Sequence, residues 1–490
     1  MVRPRLKTLS LGLDPRGGPL AARLEGPLGG LPFLGGLFPA GLGPAQALAA
    51  QGYVEEEYFL AGTATRFDGP DPLPESGAVG VTPAATAPYR TRLLVRRPAN
   101  PERFTGTVLV EWLNVTAGTD IAPVYGYAHR HLLRAGFAWV GVSAQRGGID
   151  GVAGMVSLVP PLRVAAPARY GDLVHPGDAW SFDIFSQAGM VAGSHRELVG
   201  AVPARVIAVG ESQSAHYLIT YLNAIDPVAR VFQGALVMGR AASSAPLAGG
   251  IDLANRPADF YRRGVRLRRD MRIPVLNFDS ETDVLQRGAR HARQPDSEHL
   301  RLWELAGAAH ADTYMLSASP EDREGIDPVR LAMLTAPTHR VMGMTLAAPI
   351  NAGLQQHYVT QAAIQHLDRW VAEGVAPPRG AWLSLDEEGA GFAVDRLGNA
   401  LGGIRTPWVD VPTAALSGLA ASAEGFAGLF GVTRPFGADL LRDLYPEGRS
   451  DYLGRFAGAL DRAIGQGFIL AADRDEILAT AAAAWPGDSG

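Results

Sequence analysis

The chain has 490 residues, of which 47% are hydrophobic and 19% charged, and its formal net charge is −5. This composition is typical of a globular protein with a large core, and the slight acidity gives no reason to expect a nucleic-acid partner. The chain contains no cysteine, and its single lysine is Lys7. Disulfides, thiolate metal sites and cysteine nucleophiles are therefore excluded, as is chemistry that needs a lysine in a phosphate-binding loop or a Schiff base.

Residues 1–51 form a Pro/Gly-rich segment that we expect to be irregular. Its cationic start is not followed by an apolar run of the length that a signal peptide needs. No stretch of about 18 apolar residues follows elsewhere, so we expect no membrane span. We expect a cytoplasmic protein, with export left open because ALAAQ at residues 47–51 resembles a cleavage site.

Two kinds of apolar pattern follow along the chain. Residues 55–67 and 89–98 alternate apolar with polar side chains, as half-buried strands do. Six later runs are almost continuously apolar, which is typical of strands buried on both faces: 106–115, 137–148, 205–212, 234–240, 273–283 and 300–310. Helical periodicity covers 125–136, 183–198, 214–226 and 358–375. Strands that alternate with helices predict an α/β fold with a mostly parallel sheet.

The continuous strand–helix pattern predicts one large α/β domain over residues 52–378. Within it, residues 316–355 interrupt the expected path from a strand to its helix and suggest an insertion that covers a site. After residue 378 the character changes, because 382–403 reads as a hairpin and the remainder as helices. We therefore expect a C-terminal appendage, 379–490, packed on the main domain.

The sequence GESQS, residues 210–214, joins a buried strand to a helix-like segment. A serine between two small residues at this place matches a strained strand–turn–helix elbow, which exposes the hydroxyl as a nucleophile. Ser212 is then the nucleophile, and the backbone N–H of Gln213 points at the developing oxyanion. The alternative is an ordinary turn with a helix-capping serine, and Ser214 stands where glycine is usual.

A serine nucleophile needs a base and a carboxylate that orients the base. In this architecture the chain order is serine, acid, histidine, each after a strand. Asp283 and Glu281 lie at the end of the run 273–283, just past its buried strand, and His310 lies at the end of the run 300–310, in the loop after the following strand. Spacing favours Asp283 as the acid, while Glu281 stays open and Asp279, which lies nearest the strand itself, is the weakest candidate. The acid that is not used would have a supporting hydrogen-bonding or surface role.

The loop after residues 106–112 should supply a second oxyanion donor, through the backbone N–H of Leu113 or Asn114. Asn114 could instead form a turn.

Four aromatic or histidine side chains are candidates for lining the pocket, with core packing as the alternative: Trp112, Tyr125, Tyr127 and His216. No histidine pair has metal-ligand spacing, so we expect neither a metal nor a cofactor.

These motifs resemble the α/β-hydrolase superfamily, and more narrowly the bacterial "alpha/beta hydrolase domain" family. The resemblance runs from about residue 52 to about residue 484 and is carried by VLVEWLNVTAG, GFAWVGVSAQRGG, SFDIFSQAG, GESQSA, PVLNFDSETDVL, ELAGAAHADTY and GVTRPFGADLLRDLYP. It implies an eight-stranded, mostly parallel sheet with one early antiparallel strand. It also implies a catalytic triad of Ser212, His310 and either Asp283 or Glu281.

The sequence therefore predicts a serine esterase that acts on a small-molecule carboxylic ester through an acyl-enzyme. An acyltransferase with the same triad is one alternative, and a non-catalytic binding protein that keeps the fold is another. The sequence indicates neither the particular substrate nor the oligomeric state.

Overall fold

The computed structural model describes residues 6–8, 11–13, 19–20, 22–30, 45–152, 159–250, 259–322, 326–420 and 425–486. Within these residues the centre of the molecule is a ten-stranded sheet. Its strands, in chain order, are β1 (Leu6–Thr8), β2 (Arg23–Glu25), β3 (Tyr53–Asp68), β4 (Thr82–Pro98), β5 (Thr107–Trp112), β6 (Ala138–Val142), β7 (Arg205–Glu211), β8 (Gly234–Met238), β9 (Val275–Ser280) and β10 (Leu300–Leu305).

The spatial order of the strands is β1-β2-β3-β4-β6-β5-β7-β8-β9-β10. The six strands from β5 to β10 are mutually parallel, and their residues are almost entirely buried, which explains their continuous apolar sequences. The mostly parallel α/β fold predicted from the sequence is confirmed. Because the strands are parallel, their carboxyl ends meet at one edge of the sheet, where open α/β sheets bind ligands.

The antiparallel edge of the sheet is larger than expected. The sheet has two strands beyond the predicted eight, and β1 to β4 form an antiparallel series instead of one early antiparallel strand. Both extra strands come from residues 1–51, so the expectation of an irregular segment was wrong for them. β3 is 16 residues long, and an uncovered edge of that length leaves many backbone groups unpaired. Pairing of β2 with β3 satisfies part of that edge.

Six described helices have eight or more residues: α1 (Pro123–Ala135), α2 (Ser181–Ser194), α3 (Gln213–Thr220), α4 (Gln355–Glu373), α5 (Arg449–Gly465) and α6 (Arg474–Ala483). The first four lie within a few residues of the helices predicted from periodicity. Shorter α-helices are Ala45–Ala50, Arg146–Asp150, Leu162–Ala165, Pro167–Tyr170, Arg196–Val199, Asp226–Ala229, Glu281–Leu285, Pro328–Leu334, Pro407–Asp410 and Ala438–Leu444. None of the described helices is both long enough and apolar enough to cross a membrane.

Alternating residues of each parallel strand feed two hydrophobic cores, one on each face of the sheet. Val108 of β5 belongs to the core that contains α2 and α3, whereas its neighbour Leu109 belongs to the core that contains α1 and α4. The C-terminal helices α5 and α6 contribute Phe456 and Ile477 to this second core. These helices therefore pack directly on the sheet domain, while the domain boundaries remain predictions.

Two segments beyond the last strand reach the carboxyl edge of the sheet. The predicted insertion contains the helix Pro328–Leu334 and a small hairpin, Arg340–Val341 with Met344–Thr345. Residues 382–403, predicted as one hairpin, make three separate antiparallel bridges: Leu383 with Gly402, Leu385 with Phe392, and Val394 with Ala400.

Candidate active site

Ser212 occupies the turn between β7 and α3. Its φ of 58° and ψ of −116° lie outside the regions that residues with a Cβ usually adopt. Its N–H donates to the carbonyl oxygen of Met238 at 3.0 Å, which fixes the turn against β8. A Cβ at Gly210 would lie 3.2 Å from the backbone of Ser214, so a glycine suits this tight position. The turn has the geometry of the predicted elbow.

The structure brings Ser212, His310 and Asp283 together from three separate strand ends. His310 Nε2 lies 2.8 Å from Ser212 Oγ, and His310 Nδ1 lies 2.6 Å from Asp283 Oδ1. When Nδ1–H donates to Asp283, Nε2 is left to accept from the Ser212 hydroxyl. The three side chains thus have the order and spacing of a serine–histidine–aspartate triad.

Local hydrogen bonds hold the two partners of Ser212 in place. Asp283 Oδ2 accepts from the N–H and the hydroxyl of Ser280, at 2.9 and 2.6 Å. Ser280 caps the short helix Glu281–Leu285, so the carboxylate and the cap brace each other. The N–H of His310 donates to Thr282 Oγ1 at 3.0 Å, which ties the histidine loop to the same helix.

The charges around the histidine suit it to act as a base. Burial and the neighbouring Arg287 charge lower the pKa of His310 below its ordinary value of 6.5, against the opposing effect of Asp283. The imidazole is therefore neutral at pH 7, as a general base must be. Burial would raise the pKa of Asp283, but His310, Arg287 and Ser280 hold it below its ordinary value, so this carboxylate stays ionised.

Glu281, the other candidate acid, points away from the histidine. Its Oε1 accepts from the N–H of Gly307 at 2.6 Å, and its Oε2 accepts from the N–H of Gly418 at 2.7 Å. Asp279 accepts from the N–H of Arg240 at 3.0 Å. Geometry therefore favours Asp283 over both as the partner of His310, and it gives Glu281 a supporting hydrogen-bonding role.

Of the three predicted oxyanion donors, the N–H of Gln213 has the expected geometry, and those of Leu113 and Asn114 do not. The N–H of Gln213 is the first amide of α3, and such amides have no partner within their helix. The N–H of Leu113 donates to Val142 at 3.2 Å, and that of Asn114 donates to Ile121 at 2.8 Å. Both loop amides are engaged in the backbone network, so the prediction that one of them receives the oxyanion was wrong.

The next amide of the same loop is a better candidate. Among the residues that the structure describes, the N–H of Val115 makes only a long contact, 3.4 Å, to the side-chain oxygen of Gln213. Asn114 itself forms the turn that was the alternative interpretation, since its Oδ1 accepts from the N–H of Thr116 at 2.8 Å.

A cavity of about 240 Å³ opens onto Ser212 and His310. Of the four predicted lining residues, Tyr127 lines this cavity. Trp112 does not, because it is fully buried and stacks on Tyr217 with ring centroids 5.2 Å apart.

Tyr125 and His216 also lie away from the cavity wall. The guanidinium of Arg96 lies 4.3 Å from the centroid of the Tyr125 ring, within the core. His216 lies 3.3 Å from Arg287 and packs against Phe260. Core packing is therefore the correct interpretation for Trp112, Tyr125 and His216.

Sequence reasoning missed Glu211, which lines the cavity beside the serine. Its Oε1 lies 3.2 Å from His310 Nε2, and its main-chain carbonyl accepts from the side chain of Asn114 at 3.1 Å. Burial raises the pKa of Glu211 well above its ordinary value. The signal was available, because this acidic residue stands inside the elbow motif between Gly210 and Ser212.

The remaining lining residues are mostly apolar and come from segments far apart in sequence. We define the apolar wall as Met315, Met342, Met344, Leu429 and Phe430. Met342 and Met344 come from residues 316–355, the segment predicted to be an insertion that covers a site, whereas no local pattern placed Met315, Leu429 and Phe430 beside Ser212. Across the described ranges of the chain, no group of three or more histidine, aspartate or glutamate side chains could hold a metal ion.

A mostly parallel α/β sheet with a serine at a strand–helix elbow defines the α/β-hydrolase class of fold. The family comparison agrees with this class. The chain belongs to the "Alpha/beta hydrolase domain" family, whose model matches residues 18–479.

Several solved structures are similar to the chain at low identity. Esterase Est22 is 14% identical, with a TM-score of 0.31, over 57% of this chain and 81% of its own. A putative dienelactone hydrolase from Klebsiella pneumoniae is 14% identical, with a TM-score of 0.28, over 54% of this chain and 95% of its own. An alpha-beta serine hydrolase homologue from Coxiella burnetii is 13% identical, with a TM-score of 0.28, over 48% and 91%. No curated protein matches the chain.

Proposed function

We propose that the protein is a serine hydrolase that cleaves a carboxylic ester. The observation that carries this proposal is the continuous hydrogen-bonded chain from Ser212 Oγ to His310 and on to Asp283, with steps of 2.8 and 2.6 Å. A neutral histidine and an ionised aspartate are the protonation states that such a chain needs to activate a serine.

In the first half of the reaction Ser212 Oγ attacks the ester carbonyl carbon while His310 Nε2 takes the hydroxyl proton. The tetrahedral intermediate places its negative oxygen at the N–H of Gln213 and, we propose, at the N–H of Val115. Loss of one such donor typically costs about 2.7–4 kcal/mol in the transition state. The intermediate collapses when the C–O bond to the alcohol breaks, and the alcohol leaves with the proton from His310.

In the second half of the reaction a water molecule replaces the alcohol. His310 takes a proton from the water as its oxygen attacks the acyl carbon of the acylated Ser212. The bond between the acyl carbon and Ser212 Oγ then breaks, and His310 returns the proton to Oγ. One ester and one water become one acid and one alcohol, and the enzyme is restored.

Labelling with a fluorophosphonate probe, read by intact mass, tests the proposal. The wild type should gain one adduct, and Ser212→Ala should gain none. Ser194→Ala is the matched control, because Ser194 is an exposed serine at the end of α2 and should label like the wild type. A folded wild type that gains no adduct would overturn the proposal and bring the non-catalytic binding protein forward.

The acyltransferase alternative is favoured by one observation, the apolar lining of the cavity, because such a surface suits an organic alcohol better than water. Adding short-chain alcohols during turnover of an activated ester tests it. A new ester product that competes with acid release would support acyl transfer, whereas acid as the sole product would support hydrolysis.

A further inference from the structure

The cavity beside Ser212 has polar lining residues, which include Ser212, His310, Asn114 and Glu211, and the rest of its lining includes the apolar wall. Three of the wall's five members are methionines, whose unbranched side chains adapt to a variety of apolar shapes. The wall therefore suits a flexible hydrocarbon group better than a rigid polar one.

The charges of the lining residues narrow the class of ligand further. Among the described residues that line the cavity there is no lysine or arginine, and the acidic one is Glu211. The nearest cation that the triad offers is Arg287, which lies 3.3 Å from Asp283 and is not part of the lining. A substrate carboxylate or phosphate on the wall would thus be buried without a partner, which is strongly unfavourable.

Four members of the apolar wall belong to a small cluster of their own, whereas Met315 belongs to one of the two sheet cores. Met342 and Met344 pack with Leu429 against buried Val341 and Phe430, in a cluster separate from the two cores of the sheet. The hairpin that carries both methionines is thus joined to the C-terminal segment by apolar contacts.

The turn of the hairpin places a methionine where glycine or asparagine is usual. Met342 and Gly343 connect the two short strands, with φ values of 51° and 78°. A two-residue turn of this kind requires positive φ at both positions, and a side chain such as methionine adopts it at an energetic cost. That cost is consistent with a functional use of the Met342 side chain at the cavity.

We propose that the substrate is an uncharged ester that carries a short-to-medium aliphatic group, and that this group lies on the apolar wall. This inference rests on the proposed ester hydrolysis. The cavity of about 240 Å³ must also hold the ester group, so it leaves room for an aliphatic group of short to medium length.

The test measures kcat/KM for two series of esters, one of 4-nitrophenyl esters with acyl chains from two to twelve carbons and one of alkyl butyrates. In one series, kcat/KM should rise about fourfold for each added methylene until the wall is filled, and then fall. The series that shows the rise identifies whether the acyl or the alcohol group lies on the wall. A matched charged substrate, the 4-nitrophenyl monoester of glutaric acid, should react about 100-fold more slowly than its uncharged analogue of equal length, because its carboxylate would be buried without a partner.

Two substitutions in the wall should move the optimum in opposite directions. Met344→Ala enlarges the cavity and should shift the preferred chain to greater length, whereas Met344→Phe should shift it to shorter length. Met333→Ala is the matched control, because Met333 is 64% exposed on the helix Pro328–Leu334 and is not part of the wall. It should keep the wild-type profile.

Fluorophosphonate labelling on the same samples separates the two levels of the proposal. Suppose that Ser212 is labelled, but kcat/KM does not depend on chain length in either series or the charged ester is preferred. The assignment of an aliphatic substrate is then overturned, and ester hydrolysis stands. If the folded wild type is not labelled, ester hydrolysis itself fails. A rise in one series that moves with Met344 supports the assignment.

Discussion

The short helix Glu281–Leu285 has two sides that use buried carboxylates in opposite ways. Asp283 faces His310 at 2.6 Å, whereas Glu281 faces two backbone amides, those of Gly307 and Gly418. Both side chains are about 1% exposed. Burial therefore does not distinguish a carboxylate suited to catalysis from a structural one; the chemistry of its partners does.

The pKa directions of the two carboxylates show the difference. Nearby His310 and Arg287 hold the pKa of Asp283 below its ordinary value despite burial. Burial raises the pKa of Glu281 from 4.5 to about 7, and hydrogen bonds from neutral amides only partly oppose this rise. One side of the helix keeps an ionised group for the histidine, and the other side attaches the C-terminal segment.

The largest effect is expected when the side that faces His310 is changed. Asp283→Asn should lower kcat for an activated ester about 10⁴-fold, because an amide does not hold the imidazole in the tautomer that accepts the Ser212 proton. Glu281→Gln is the matched control at the other side of the helix, and its kcat should stay within about threefold of wild type because Glu281 touches no reacting atom. Steady-state kinetics on both variants measures the contrast.

The reverse result would make Glu281 the triad acid and Asp283 the structural carboxylate. If Glu281→Gln lost activity to the extent expected for Asp283→Asn, and both variants showed native circular dichroism, the assignment of the triad acid to Asp283 would be wrong.

The second effect is on stability and depends on pH. The folded-state pKa of Glu281 is about 7 and its ordinary value is 4.5, so the folded state favours the protonated form. Its contribution to stability is present below about pH 4.5 and is lost as pH rises through about 7. The free energy of unfolding of wild type, relative to Glu281→Gln, should therefore fall by roughly 3 kcal/mol across this range. Urea unfolding of both proteins at pH 4.5, 6 and 8 measures it; a constant difference would contradict the prediction.

The group of Asp283, His310 and Ser212 could be predicted because each of these residues is marked by a short sequence pattern around it. A buried apolar run marks each strand, and a short loop follows it. Chain order then places Ser212, Asp283 and His310 at one edge of a parallel sheet. The choice between Asp283 and Glu281 was harder, since both follow β9 and only the direction of the side chain on the first helical turn separates them.

Other parts depend on contacts between distant segments and could not be predicted. The N–H groups of Leu113 and Asn114 donate to the carbonyl oxygens of Val142 and Ile121. These hydrogen bonds form only once the loop and the neighbouring strand are folded together. The strand Arg23–Glu25 forms because β3 offers an edge, not because its own sequence is strongly β-forming. The apolar wall unites residues more than 100 positions apart, from Met315 to Phe430.

The smallest effect concerns Arg287, whose charge acts on both His310 and Asp283. After burial, its charge is the largest cause that lowers the pKa of His310, and in the proposed mechanism the base form of His310 is the active one. The acid side of the kcat/KM profile should therefore fall at a pH below 6.5 in wild type. In Arg287→Gln the pKa of His310 should rise, so activity should be lost at a higher pH than in wild type.

A pH profile of kcat/KM on a neutral ester measures this shift, and Arg269→Gln is the control because Arg269 is an exposed arginine. Arg269→Gln should keep the wild-type profile, since an exposed charge is screened by solvent and salt. A shift to lower pH in Arg287→Gln would contradict the prediction and would mean that Arg287 acts on His310 mainly by keeping Asp283 ionised. A loss of activity equal at every pH would instead indicate that Arg287 positions Asp283 without affecting the pKa of His310.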